Sequence, residues 1–316
     1  MTKRKIYFRA DASATIGYGH FIRTLALADM LKDDFDCTFY TTSPSSYQIG
    51  EMEKVCRYIA LTEETKFGDF INLLNGDEIV VLDNYFFTTE YQKQIKEKGC
   101  KLVCVDDMHD KYYVADIVIN HGFADPNQFQ KADYTQLALG YGYALLRKPF
   151  LSKFISNKNK GEWIICFGGS DSNDLTSKVA AILSYREDIS KIHAVVGDAY
   201  RYLDVLNKIE KVVVHTRLSA EEMASLYRIS ESVVCSASSV CYEALACQCT
   251  IYSGYYVDNQ EEFFNKLSEE NFIVPLGNLL TANLDFLLKR QKVHTCRFPI
   301  DNIIKNYHAL FEQLLL

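Results

Sequence analysis

Short apolar runs rich in Val and Ile recur along this chain without strict polar alternation, and helical stretches separate them. That pattern allows few folds. A strand that is apolar on both faces must be covered on both faces, and strands joined through helices run parallel. The expectation is an α/β protein on parallel sheets. In the first half, strands are expected at 6–9, 36–40, 57–61, 78–82, 101–105 and 116–120, with helices at 20–31 and 89–98. A less regular segment, 121–160, follows, and the polar stretch SNKNKGE at 156–162 has the composition of an interdomain linker or an exposed turn. The alternation then restarts, with strands at 163–167, 191–196, 211–215, 232–235, 249–252 and 272–274. Helices are expected from about 174, at 220–228, 240–247 and 261–267, and over 301–316. Two Rossmann-like, doubly wound domains follow from this, 1–150 and 151–316, with ligands at the carboxyl ends of strands and the active site in an interdomain cleft.

Composition excludes several function classes. The 316 residues carry a net charge of −7 and no long basic run, which disfavours a nucleic-acid binder. No run approaches the ~18 apolar residues of a membrane span. No signal peptide is expected, because MTKRKIYFRADAS passes from a basic start straight into a strand. Ten cysteines lie mostly in apolar runs and form no CxxC pair, and Cys247 and Cys249 are too close together for a zinc finger. Free thiols in a reducing cytoplasm, with no metal and no cofactor, are the expectation.

The stretch RADASATIGYGHFIRTLALADML, Arg9 to Leu31, carries a strand into a glycine loop and a helix. Gly17 and Gly19 permit backbone conformations that a side chain forbids, so the loop can lie against a ligand. His20 falls at the first turn, where the helix dipole disfavours imidazolium, so the ring suits a general base; the same place also suits an anion. Asp83, Asn84 and Tyr85 close one strand and Asp106–Asp107 the next, at the edge where such sheets hold ligands. For the second pair an ordinary acidic turn is the simpler reading. His109, His121, His193, His215, His294 and His308 lack a comparable context.

In the second half, CFGGSD at 166–171 leaves a strand and precedes a helix, without a Walker lysine or a GxGxxG ribose acid. Gly168 and Gly169 are equally consistent with a tight turn. VVCSASSVCYEALAC at 233–247 places Ser236, Ser238 and Ser239 at a helix start, where backbone N–H groups can hold a diphosphate or a serine can cap the helix. Glu243, read as four positions past a Ser239 cap, can accept hydrogen bonds from ribose hydroxyls. Asn259 and Gln260 suit sugar hydroxyls or a helix cap.

Taken in order, RADASATIGYGH, DNYFFT, VDDMHDKYYVADIVIN, GYGYALLR, CFGGSD and SASSVCYEA followed by DNQ resemble UDP-2,4-diacetamido-2,4,6-trideoxy-β-L-altropyranose hydrolase of the pseudaminic acid pathway. Spore-coat polysaccharide proteins are among its wider relatives. The resemblance implies a GT-B-like fold with UDP held mainly by the C-terminal domain. It implies His20 as catalytic base, with Asp11, Gly17, Tyr85 and Asn259 lining the sugar pocket and Gly169, Ser170, Ser238, Ser239 and Glu243 holding diphosphate and ribose. The implied reaction is inverting attack of water on the anomeric carbon of a UDP-sugar, without an obligatory metal. A histidine with its ordinary pKa near ~6.5 can take the water proton at neutral pH. An inverting glycosyltransferase on the same fold is the second reading, and a non-catalytic nucleotide-sugar binding subunit the third.

Overall fold

In a computed structural model the chain is described over residues 3–13, 17–152, 154–155, 157–168, 171–288, 298 and 300–315. It divides into two units, Met1–Lys148 with Ile300–Leu316, and Pro149–Pro299.

The first unit holds strands β1 (Lys5–Arg9), β2 (Asp36–Thr42), β3 (Arg57–Leu61), β4 (Ile79–Leu82), β5 (Lys101–Val105), β6 (Tyr112–Tyr113), β7 (Ile117–Asn120), β8 (Gln130–Lys131) and β9 (Gln136–Leu139). Helices α1 (Gly19–Leu31), α2 (Ser46–Val55), α3 (Lys66–Leu73) and α4 (Thr89–Glu97) connect them, and α5 (Lys148–Leu151) leads into the second unit. Seven strands form one sheet in the order β3-β2-β1-β4-β5-β7-β9, every pair parallel. The strand β4, IVVL, is buried at all four positions, as its unbroken apolar run requires. On one face Phe70, Val80, Ile95, Leu102 and Val118 belong to a single apolar cluster. On α1, Phe21 meets Phe39 of β2 edge-on at 5.5 Å between ring centres.

The second unit holds β10 (Asn159–Cys166), α6 (Leu175–Ser184), β11 (Lys191–Val196), α7 (Leu203–Leu206), β12 (Val212–Thr216), α8 (Ala220–Ile229), β13 (Ser230–Ser236), α9 (Ser239–Ala246), β14 (Thr250–Tyr255), α10 (Glu261–Glu269), β15 (Val274–Asn278) and α11 (Leu284–Leu287). Its sheet runs β12-β11-β10-β13-β14-β15, again parallel throughout. Both units are Rossmann-like, and each has a strand, β1 or β10, flanked by neighbours reached in opposite directions of winding.

Three expectations change. The polar stretch 156–162 is not all linker, because β10 begins at Asn159. Its polar residues are tolerated by a break in register, with Gly161 at φ +80°, where an added Cβ would stand 2.7 Å from the Asp188 carbonyl oxygen. The segment 121–160 also contains β9, which pairs with β7. The terminal segment belongs with the first unit and not the second. Its helix α12 (Ile303–Glu312) buries Ile303, Tyr307, Leu310 and Phe311 there. Phe311 packs on Phe35 at 6.2 Å, and Asn306 donates to the Gly142 carbonyl at 2.9 Å.

Candidate active site

A doubly wound sheet binds ligands at the carboxyl ends of its strands, where the winding reverses. In the first unit that point lies between β1 and β4, which end at Arg9 and Leu82. The residues just beyond them, Asp11 and Asp83, are both buried.

Asp83 is fully buried, and four donors converge on its carboxylate. Oδ1 accepts from Arg23 Nη2 at 2.6 Å and lies 2.7 Å from His20 Nδ1. Oδ2 accepts from Arg23 Nε and from Thr24 Oγ1, each at 2.7 Å. His20, Arg23 and Thr24 are spaced i, i+3, i+4 on α1, so one helical face points three polar side chains at one carboxylate. Burial alone would raise the Asp83 pKa, but the facing charge of Arg23 and the hydrogen bonds from Arg23 and His20 hold it far below the ordinary range. The carboxylate can only accept, so His20 donates Nδ1–H to it and leaves Nε2 as the acceptor. Tyr85, about two-fifths exposed, packs edge-on against the His20 ring at 4.6 Å.

Asp11 is equally committed. Arg9 donates to both of its oxygens, at 2.8 Å to Oδ2, while Thr42 N–H donates to Oδ1 at 2.9 Å and Lys66 Nζ to Oδ2 at 3.2 Å. Burial would raise its pKa, and the Arg9 hydrogen bonds and charge, with Thr42 and Lys66, lower it instead. Its main chain is fastened to Asn84, whose Oδ1 accepts from Asp11 N–H at 2.7 Å. The carboxylates of Asp11 and Asp83 are thus filled by the protein itself. Expected at the sugar pocket and at the ligand-bearing edge of the sheet, they brace the loop and the imidazole.

Other expected residues separate cleanly. Gly17 uses its freedom, with φ +85°, and bridges back to Ser13; Gly19 opens α1 with ordinary backbone. Asp106 is an acidic turn, accepting from the N–H groups of Met108 and His109. Asp107 takes the third nitrogen of Arg23 at 2.8 Å. His121, directly after β7, is buried and accepts the Leu145 N–H at Nδ1, 3.4 Å away. Burial, and secondarily the charge of Arg23, lower its pKa to about 4, so it is neutral at pH 7. Arg23 and His121 escape notice in the sequence. The only available signal was the i, i+3 spacing of Arg23 from His20 and the position of His121 at a strand end.

In the second unit the corresponding point lies between β10 and β13. Gly169 and Ser170 lie outside the described residues. The helix after them is closed to anions by its own caps. Asp171 accepts from the N–H groups of Leu175 and Thr176, at 3.0 and 2.7 Å, and Asp174 from that of Ser177. The start of α9 differs. Ser238 is its N-cap but makes no capping hydrogen bond; its hydroxyl donates back to the Ser236 carbonyl at 3.4 Å. Ser239 is the first helical residue and is partly exposed. Glu243 is the fifth residue of α9 and buried, five positions past the Ser238 cap and not four past a Ser239 cap as expected. After β14, Asn259 is exposed, while Gln260 is occupied by the N–H of Tyr256 at 3.2 Å.

Among the described residues no three His, Cys, Asp or Glu side chains group as metal ligands, nine cysteines are free thiols, and no helix is long and apolar enough to cross a membrane.

This chain is 31% identical over 288 residues to UDP-2,4-diacetamido-2,4,6-trideoxy-β-L-altropyranose hydrolase of Campylobacter jejuni, covering 85% of this chain and 98% of that enzyme. The chain belongs to that hydrolase family. It is also 25% identical to the spore coat polysaccharide biosynthesis protein SpsG of Bacillus subtilis, over 85% of this chain and 82% of that one. No protein-family model matches. The fold is the GT-B type of the glycosyltransferases. Arabidopsis thaliana UGT89C1, solved with UDP-L-rhamnose, superposes with a TM-score of 0.66 at 12% identity over the whole of both chains. Acinetobacter baumannii MurG gives 0.60 at 10% identity over 99% of each.

Proposed function

We propose that this family member is a nucleotide-sugar hydrolase acting on a UDP-linked diacetamido-trideoxy amino-sugar, in nonulosonic acid synthesis. Water gives a proton to His20 Nε2 as its oxygen bonds to the anomeric carbon. The bond from that carbon to the diphosphate oxygen breaks, UDP leaves with the electron pair, and configuration inverts. The observation that carries the reading is the buried His20–Asp83 pair, which leaves Nε2 as a lone-pair base on a chain 31% identical to a hydrolase of that substrate. Tyr85 and Gly17 contribute sugar contacts beside it. The uncapped start of α9, with Ser238 and Ser239, receives the diphosphate through backbone N–H groups, together with Gly169 and Ser170. Glu243 accepts from the ribose. The enzyme works in the cytoplasm, where nucleotide sugars are made.

The test is a panel of UDP-sugars, the diacetamido-altropyranose included, with NMR following UDP release and the anomer first formed. UDP released from that sugar with water alone, as the inverted anomer, is the expected result. Release only when a hydroxyl acceptor is added would make the protein a transferase. Tight binding with no turnover under either condition would make it a binding subunit.

A further inference from the structure

A histidine hydrogen-bonded to a buried carboxylate can hold its proton in two places. With a carboxylate partner the proton sits on Nδ1 and Nε2 is bare. If the carboxyl takes up a proton from solvent, its O–H donates to Nδ1 and the ring's own proton moves to Nε2, which can then accept none from water. Asp83 has no exposed surface, and burial drives a carboxyl toward that second, inactive arrangement. What opposes it is Arg23. Its guanidinium spans the ends of two strands, with Nε and Nη2 on the two oxygens of Asp83 after β4 and Nη1 on Asp107 after β5. Nη2 also stands 3.1 Å from His20 Nδ1, and with Asp83 ionised both nitrogens face its Oδ1 as donors.

We infer that Arg23 is the positioning residue of this site, fastening Asp83 between α1 and β4 so that the His20 proton stays on Nδ1 and Nε2 remains free for water. Asp107 is the outer anchor of the same guanidinium, and Tyr85 closes it, its hydroxyl 3.4 Å from Asp107 Oδ2. A lysine cannot replace Arg23 fully, because a point charge on a flexible stem lacks the planar fork that meets both oxygens of one carboxylate and a second carboxylate beyond.

The inference rests on the reading of His20 as base, and the two can fail separately. The full chain is labelled with ¹⁵N at histidine, and ring shifts, which distinguish protonated from bare nitrogens, are followed in the wild type, R23M, R23K and D107N. The wild type is expected to show His20 with a protonated Nδ1 and a bare Nε2. R23M is expected to move the proton to Nε2 or to give a mixture, with kcat down about 10²-fold or more, the loss typical of a removed general base, and KM within about threefold. R23K should fall between the two, and D107N should keep the wild-type tautomer with a smaller loss of kcat. UDP affinity, read by calorimetry with UDP alone, should match the wild type in each variant, which verifies the fold. R23M with the wild-type tautomer and undiminished kcat would overturn the inference. Should R23M fail to fold, R23K with wild-type kcat and tautomer would do the same. A wild type that releases UDP from no sugar would sink the hydrolase reading, while the ring spectra would still decide what Arg23 does.

Discussion

At the scale of single residues, the proposed base is an imidazole with one nitrogen held by the buried carboxylate of Asp83. His20→Ala removes the imidazole, and the expected loss of kcat is ~10²–10⁴-fold with UDP affinity unchanged, since the residues proposed for nucleotide binding lie in the second unit. Near-normal turnover of the variant would remove His20 from the mechanism. His121 makes a separate prediction about stability. Its folded pKa, about 4, lies below the unfolded value near ~6.5, so the unfolded chain binds the extra proton between them. Its contribution is fully present above pH ~6.5 and is lost as pH falls toward 4. By pH 5 the loss is about 2 kcal/mol. His121→Asn, which keeps an acceptor for the Leu145 N–H, should flatten that part of the stability curve, as urea unfolding at pH 7 and pH 5 would report. An unchanged difference between the two pH values would place the slope elsewhere; the depressed carboxylates, Asp11, Asp83 and Asp107, lose their contributions only below pH ~3.9.

At the scale of elements, two helices follow strands at the switch point of the second sheet, and their first turns are built differently. Two aspartates satisfy the opening N–H groups of α6, whereas the serine before α9 leaves that end without a side-chain cap. Serine and aspartate are both ordinary capping residues, so the sequence offers no way to tell a capped end from an open one. Within α9, Glu243 is the test of the ribose assignment. Glu243→Ala should raise KM roughly tenfold, the loss of one charge-assisted hydrogen bond, with kcat little changed. An unchanged KM together with wild-type UDP affinity would give Glu243 a purely structural role. Strand positions were legible because buried parallel strands announce themselves as apolar runs, as in β4 and β11. Helix α2 was not, although Ser45 and Gln48 form a complete capping box, because its body carries few apolar residues and only Gln48 and Met52 are buried.

At the scale of the molecule, the last helix returns to the first unit. Ile303, Tyr307, Leu310 and Phe311 of α12, with Leu314 beyond, are buried side chains. Each is worth about 1.5–3 kcal/mol when fully buried, so their sum rivals the net stability of a typical domain. A chain ending at Pro299 is expected to lose the cooperative unfolding of the first unit, measured by calorimetry, while UDP binding to the second unit survives. Retention of both transitions at their original temperatures would show that α12 is dispensable.

Sequence alone determined the α/β class, the doubling, most strand positions and the family, because burial on two faces and short glycine- and serine-bearing motifs are local properties of the chain. His20 stood out as a candidate base from its own loop. Tertiary structure decided what surrounds it. Arg23 is 60 positions from Asp83 and 84 from Asp107, and a lone arginine on a helix face names no partner until β4 and β5 lie side by side. The same packing surrounds Asp11 and Asp83 with protein donors, because what a carboxylate meets depends on groups that the order of strands brings in from elsewhere in the chain.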